Sequence, residues 1–338
     1  MKRRDLLKAS MTGLALAPLA TASAVTNAGD KTRLRMQTLY GTETDALYKA
    51  FGKDIKTASN GTLAITRFRG GELVPNDQML DAVSKGTLDM CQGYGGYWSG
   101  QLDIAKIESG LPGAWTSLDE AQYLHQAKGL SELISEAYAE KGVHYLGPVF
   151  GGPYDLLTTK PVKSLEDLKK MKIRATATVA AILEKFDIPT VYLPSQELYI
   201  AMSTGAIDGV IYGGSLEYKA LKLHEAAKHY TSLNMINPGY ADGMLINKKK
   251  WDGMSKDQQK VIELATAKHA TNMHAWNVNG CLDVNAEGIF EFASLNTADS
   301  NALTAAAVDV WQEEAKKSAR NAKAIEAIQA TAKATGRA

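Results

Sequence analysis

A short pattern occurs twice in this chain and limits what it can fold into. Lys85-Gly86-Thr87-Leu88-Asp89 is followed by Tyr94-Gly95-Gly96, and Thr204-Gly205-Ala206-Ile207-Asp208 by Tyr212-Gly213-Gly214. The paired glycines and the paired aspartates are 119 residues apart, the tyrosines 118. In each copy a helix meets a glycine stop, a short apolar strand follows, and an aromatic residue with two glycines closes the unit. Such a chain reads as two lobes of one design, the alternative being a chance likeness of so short a pattern.

The surroundings of each copy agree. In the first half, strands are expected at Leu34 to Thr38, Thr62 to Phe68 and Leu88 to Cys91. Between them lie a helix with Leu47, Phe51 and Ile55 on one face and a second helix capped by Asn76. In the second half, Ser164 caps a short helix and strands fall at Met171 to Arg174, Thr190 to Leu193 and Ile207 to Ile211, with helices at Val179 to Phe186 and from Ser195. Strands alternating with helices predict α/β lobes with largely parallel sheets. Ser255 with Gln258 forms a capping box ahead of Ile262, Ala265, His269, Met273 and Trp276 at helical spacing, which predicts an unusually long helix.

The chain begins with a charged head, Lys2-Arg3-Arg4-Asp5, an Ala/Leu-rich apolar stretch and a small-residue site at Ala22-Ser23-Ala24. This is the layout of a cleaved export leader, and the adjacent arginines resemble a twin-arginine signal, with a plain secretory signal as the alternative. The leader carries a net +3 of a formal total of +1, which leaves the rest at −2. Nothing basic remains to grip nucleic acid. Cys91 and Cys281, the two cysteines, make no disulfide scaffold; one bridge or two buried thiols are both open.

Signatures of enzymes are missing. His224/His229 and His269/His274 are five residues apart, which is not the spacing of an HExxH zinc site. The chain has no GxSxG elbow, no Walker A loop and no CxxC pair, and Gly93-Tyr94-Gly95-Gly96 lacks a dinucleotide fingerprint.

Several stretches in order resemble one family. They are Gly71-Glu72-Leu73-Val74-Pro75-Asn76-Asp77-Gln78 with Gly86-Thr87-Leu88-Asp89, then Ser164-Leu165-Glu166-Asp167-Leu168 with Lys172-Ile173-Arg174. Glu197-Leu198-Tyr199 with Gly205-Ala206-Ile207-Asp208-Gly209 follows, and then Asn247 with Trp251 and Asp257-Gln258-Gln259. Together, over roughly residues 31 to 285, they resemble the DctP-type solute receptors, the extracytoplasmic subunits of TRAP transporters. The resemblance implies a two-lobed α/β fold like the type II periplasmic binding proteins, with hinge-linked lobes braced by a long helix. It places the leader at 1–24, the first lobe at 31–150 with 243–285 returning to it, the second lobe at 151–242, and C-terminal helices at 286–338. It implies a periplasmic protein that is not an enzyme, with a small organic acid as ligand and membrane permease subunits as partners. A homodimer is open, since some relatives dimerise.

In that family the arginine ending the Lys-Ile-Arg strand grips the substrate carboxylate, which here is Arg174. The local chemistry agrees: the carboxyl end of a parallel strand faces the ligand crevice of α/β folds, and a guanidinium matches a carboxylate in two parallel hydrogen bonds. Thr176 begins the next helix, whose free N–H groups favour an anion. Tyr212 falls where the family often has an aromatic selectivity residue. Tyr94, Tyr97 and Trp98 are candidates for the opposite wall, with Tyr40 and Tyr154 behind them. Relatives that bind through a metal use acidic and amide positions that fall here at Ile211, Pro153 and Asp242. Only Asp242 keeps an oxygen ligand, so no metal and no cofactor are expected. Asp242 is expected to hydrogen-bond a ligand hydroxyl or amine, or to support Arg174. The competing readings are an exported enzyme acting on small carboxylic acids, and a binding protein of similar fold serving another transporter or a sensor.

Overall fold

Apolar residues at alternating and helical periods settle into two α/β sheets. The computed structural model describes residues 31–234 and 239–336, and the leader of residues 1–24 lies outside the described residues. In chain order the strands are β1 (Thr32–Thr38), β2 (Leu63–Phe68), β3 (Met90–Gly93) and β4 (Val143–Phe150), then β5 (Leu156–Thr158), β6 (Ile173–Arg174), β7 (Thr190–Val191), β8 (Gly209–Ile211) and β9 (His229–Ser232). Two more follow, β10 (Ala241–Asn247) and β11 (Glu291–Ser294).

The first sheet has the order β2-β1-β3-β10-β4 and the second β11-β9-β5-β8-β6-β7. Read from β7, the second repeats the first. β1 lies parallel to β2 and β3, as β6 lies parallel to β7 and β8. β10 runs antiparallel to β3 and β4, as β5 does to β8 and β9. Each sheet is therefore mixed rather than largely parallel, for a topological reason. The antiparallel strand in each is the first one the chain makes after crossing from the other sheet, so it enters from the opposite side.

The sequence repeat is a structural repeat. The helices Met79–Ser84 and Leu198–Ser203 stand 119 residues apart, and Gly86 and Gly205 end them at φ 75° and 72°. That left-handed conformation suits glycine. Leu88 N–H then bonds Ala82 O at 3.0 Å, and Ile207 N–H bonds Ala201 O at 3.2 Å. These bonds hold Leu88 and Ile207 in the turn, fully or nearly fully buried, and each strand starts two residues later than the apolar pattern suggests. Leu34, Met36, Ile55 and Met90 are among the residues that fill the first core, and Leu198, Val210 and Tyr218 among those of a second cluster.

The long helix runs Lys256–Ala286, capped by the expected Ser255/Gln258 box, and passes well beyond Trp276. Asn277, Asn279 and Gly280 read as helix-ending residues, but packing overrides them. A Cβ on Gly280 would lie 2.5 Å from Leu216 Cδ2, so glycine here admits the neighbouring helix Ser215–Ala220. His269 meets the rings of Tyr48 and Phe51 in the first lobe, at centroid distances of 4.8 and 5.0 Å. Further along, the Cys281 carbonyl accepts from Ser215 Oγ in the second. One helix thus braces both lobes. The expectation of helices alone over 286–338 needs a correction, because β11 adds parallel to β9 at the sheet edge. The helix Thr297–Ala315 then straps the two lobes. Leu165 N–H donates to Asp299 and Lys185 pairs with Asp309, each at 2.9 Å, while Trp311 donates to Pro112 O at 2.9 Å. Cys91 and Cys281 are buried free thiols. Among the described residues no helix is long and apolar enough to cross a membrane.

Candidate functional site

The carboxyl ends of β3 and β8 face each other across the interlobe space, and the aromatic residue that follows each strand, Tyr94 and Tyr212, reaches into one small cavity. Tyr97, Tyr154, Tyr240, Leu39 and Asp242 complete its lining. Its volume is about 20 Å³, room for about one water and far below the roughly 300–1,000 Å³ of small-molecule sites, so the two walls stand nearly closed on each other.

Arg174 stands against the tyrosine wall, its guanidinium carbon 5.3 Å from the Tyr212 ring centroid and 5.4 Å from that of Tyr192. It is 0% exposed. Nε donates to Leu193 O at 3.0 Å and Nη1 to Ile211 O at 2.9 Å. These carbonyls lie at or just past the ends of β8 and β7, which flank β6, so the sheet itself aims the guanidinium. Nη2 is buried with no hydrogen-bond partner among the described residues. No described carboxylate pairs with this charge.

Asp242, on β10, is the second pole. Its Oδ2 accepts from Tyr40 Oη at 2.7 Å and from Gln92 Nε2 at 3.1 Å, while Oδ1 is buried and unpartnered among the described residues. Burial pushes its pKa up to about 6; the bonds from Tyr40 and Gln92 oppose this, and the nearby Glu217 charge adds to it. From Asp242 a line of polar contacts crosses to the second lobe. Tyr40 Oη meets Tyr240 Oη at 3.1 Å, and Tyr240 donates to Glu217 Oε1 at 3.3 Å. Glu217 also accepts from Asn277 of the long helix and from Gly214 N–H. Its pKa is raised, burial outweighing those bonds.

A wider groove lies on the outer face, between the helix Asp45–Ala58 and β2. It is open, and its Arg67 and Arg69 are already paired with Asp45. Its two arginines are thus paired within the protein, unlike Arg174.

Residues 40–321 match the model of the bacterial extracellular solute-binding proteins, family 7 (DctP). The chain belongs to that family. A monocarboxylate 2-oxoacid-binding periplasmic protein of Nostoc sp. is 28% identical over 280 residues, 79% of this chain and 76% of that one. A TRAP periplasmic solute-binding protein of Chromohalobacter salexigens, solved with (S)-(+)-2-amino-1-propanol, superposes with a TM-score of 0.81 at 23% identity, covering 88% of this chain and 95% of that one. Another, of Pseudoalteromonas atlantica with sodium and pyruvate, also gives 0.81, at 22% identity over 90% and 95%. Family and fold together make this chain an extracellular solute-binding protein with the fold of the TRAP periplasmic solute-binding proteins.

Of the residues the sequence singled out in this solute-binding protein, Tyr94, Tyr97, Tyr154, Tyr212 and Asp242 line the cavity. Arg174 adjoins it, and Tyr40 stands one hydrogen bond behind Asp242. Thr176 is 5% exposed at the N-cap of the helix Ala177–Glu184, but its Oγ1 makes no cap. That hydroxyl is buried and faces Tyr94. Trp98 is a correction. The turn Gly95–Trp98 is a 3₁₀ helix, which sends consecutive side chains about 120° apart. Tyr97 therefore faces the cavity while Trp98 enters the core and donates to Tyr138 Oη at 2.9 Å.

Sequence reasoning missed Tyr192, Tyr240, Leu39, Gln92 and Glu217. Tyr192 just past β7 obeys the strand-end logic that picked Arg174, and Tyr240 lies two residues before Asp242 on extended chain, so both carried a signal. Gln92 and Glu217 carried none. Among the described residues no three His, Cys, Asp or Glu side chains gather as for a metal ion. The other oxygens around Asp242 are already hydrogen-bonded, a poor fit to a metal cage.

Proposed function

We propose that this receptor captures a small organic acid between its lobes, holds the carboxylate on Arg174, and hands it unchanged to the membrane permease subunits of a TRAP transporter. The observation that carries this reading is Arg174, a fully buried guanidinium whose Nη2 has no partner and which has no carboxylate beside it among the described residues. Burying an unpaired charge costs several kcal/mol, and an anionic guest removes that cost. Walls from both lobes line the cavity, which supports lobe closure around the guest. The 2-oxoacids in the name of the Nostoc relative support an acid as ligand. The family's description and the leader-like N-terminus support work outside the cytoplasmic membrane, in the periplasm.

A thermal-shift screen of organic acids on protein unfolded, dialysed and refolded to strip retained ligand tests it. An acid at about 100 times its Kd adds roughly 2.7 kcal/mol of stability. A micromolar ligand is held by about 8 kcal/mol, and truncating one partner of a buried ion pair costs about 3–5 kcal/mol. Arg174→Ala is therefore expected to abolish measurable binding, and Arg174→Lys to restore part of it, since an ammonium cannot reproduce the fork. Sugars or amines stabilising the protein where acids do not would refute the reading. Conversion of the bound acid on prolonged incubation would instead make the protein an enzyme.

A further inference from the structure

The negative pole of the cavity is as incomplete as its positive pole. Asp242 Oδ2 is saturated by Tyr40 and Gln92, and Gln92 cannot turn to offer anything else. Its Oε1 is held by Tyr48 Oη at 2.8 Å and meets His269 Nε2 at 3.0 Å, which fixes the amide with its NH₂ toward Asp242. Burial lowers the His269 pKa to about 4, so this ring brings no positive charge. Oδ1 remains buried and unpartnered among the described residues, and no Lys or Arg pairs with this carboxylate. Glu217 stands behind Tyr240 on the same side and adds negative potential. Between the poles the wall is tyrosine, packed edge to face, with Tyr94 and Tyr154 at 6.3 and 5.9 Å from Tyr240. Aromatic faces attract cations, most strongly where water is excluded.

We infer that the ligand is a short zwitterion, whose carboxylate takes Arg174 and whose cationic nitrogen donates to Asp242 Oδ1 within the tyrosine wall. This rests on the carboxylate reading above and adds the second charge. A hydroxyl would fill Oδ1 but leave the buried negative charge uncompensated. A metal ion would need several further oxygens, and those nearby are engaged. At about pH 7 Asp242, with its pKa near 6, is mostly ionised and so matches a cation.

The test is calorimetric titration of stripped protein with matched sets of short carboxylic acids. Each set contains the plain acid, its hydroxy form, its amino form and its N-methylated amino form, with and without EDTA. The amino or N-methylated member of at least one set should bind roughly 10- to 100-fold more tightly than its plain and hydroxy counterparts. In Asp242→Asn that ratio should fall to about one, and Asp242→Ser, checked for folding by circular dichroism, should do the same. Plain or hydroxy acids binding as tightly as the amino forms, with the same ratio in both variants, would overturn the zwitterion and leave the carboxylate reading standing. Binding that vanishes with EDTA and returns with calcium or sodium would overturn it in favour of a metal at Asp242. If no acid of any kind binds and neutral sugars do, both readings fall.

Discussion

Glu108 gives the sharpest test of the electrostatics of the first lobe. It is 0% exposed; Oε2 accepts from Tyr138 Oη at 2.6 Å, and Oε1 has no partner among the described residues. Burial pushes its pKa from 4.5 up to about 8; the Tyr138 bond opposes this and the Asp242 charge adds to it. In the unfolded chain the group loses its proton near its ordinary value, in the folded protein near 8. Between those values the folded state binds more protons, so stability is fully present below the unfolded pKa and declines as pH rises through the folded one. The slope approaches about 1.4 kcal/mol per pH unit, and this one group should remove about 2–3 kcal/mol between pH 5 and pH 7. Glu108→Gln keeps the shape and the acceptor for Tyr138 but cannot titrate. Urea unfolding of ligand-free protein at a series of pH values measures the difference. The variant should gain on the wild type by about 2–3 kcal/mol from pH 5 to pH 7, whatever other groups titrate, because those are common to both proteins. Two stability curves that stay parallel across that range would refute the reasoning and mean that Glu108 is ionised in the fold.

Two further predictions concern packing. Trp98→Phe should cost about 1 kcal/mol in unfolding experiments through the lost bond to Tyr138 while leaving the affinity for acids unchanged; weakened binding would return Trp98 to the cavity wall. At the crossing between the sheets, a Cβ on Gly152 would fall 1.6 Å from Asn277 Oδ1. Gly152→Ala must therefore push Asn277 off Glu217, at roughly 1–3 kcal/mol by thermal denaturation, and an unchanged melting temperature would show that the crossing is looser than described.

Much of the fold was legible because local and tertiary demands coincide. The Gly86 and Gly205 stops mark where a left-handed residue is needed, and Ser255 with Gln258 marks the helix start by a bond that needs no distant partner. Legibility failed where distant contacts decide. The long helix continues past Gly280 because Leu216 packs there. β10 is inserted between β3 and β4 although the second lobe separates them in sequence. β11 follows no recognisable apolar run: Glu291-Phe292-Ala293-Ser294 is mostly exposed, and its pairing to β9 holds it in the sheet.

The site divides along the same line. Arg174, Tyr94 and Tyr212 were readable because each sits at or just past the carboxyl end of a strand whose neighbours are set by the repeat, and strand ends of α/β sheets face the crevice. The polar chain beneath them was legible only in part: Tyr40 and Asp242 stood among the candidates, but their link to each other, and Gln92 and Glu217, did not show. Asp242, Gln92, Tyr40, Tyr240 and Glu217 come from both lobes and from the crossing between them, and Tyr40 and Asp242 are 202 residues apart. One Glu217 oxygen accepts from Gly214 N–H at the start of the helix Ser215–Ala220; the other joins the interlobe chain. The local bond therefore accounts for half of what this side chain does. The repeat carries the converse lesson. Its aromatic position occurs once in each lobe, so two copies of one small pattern, brought face to face by the crossings, supply opposite walls of one cavity. A doubled strand-end aromatic in an α/β chain points to a shared pocket between the copies before any single side chain is placed.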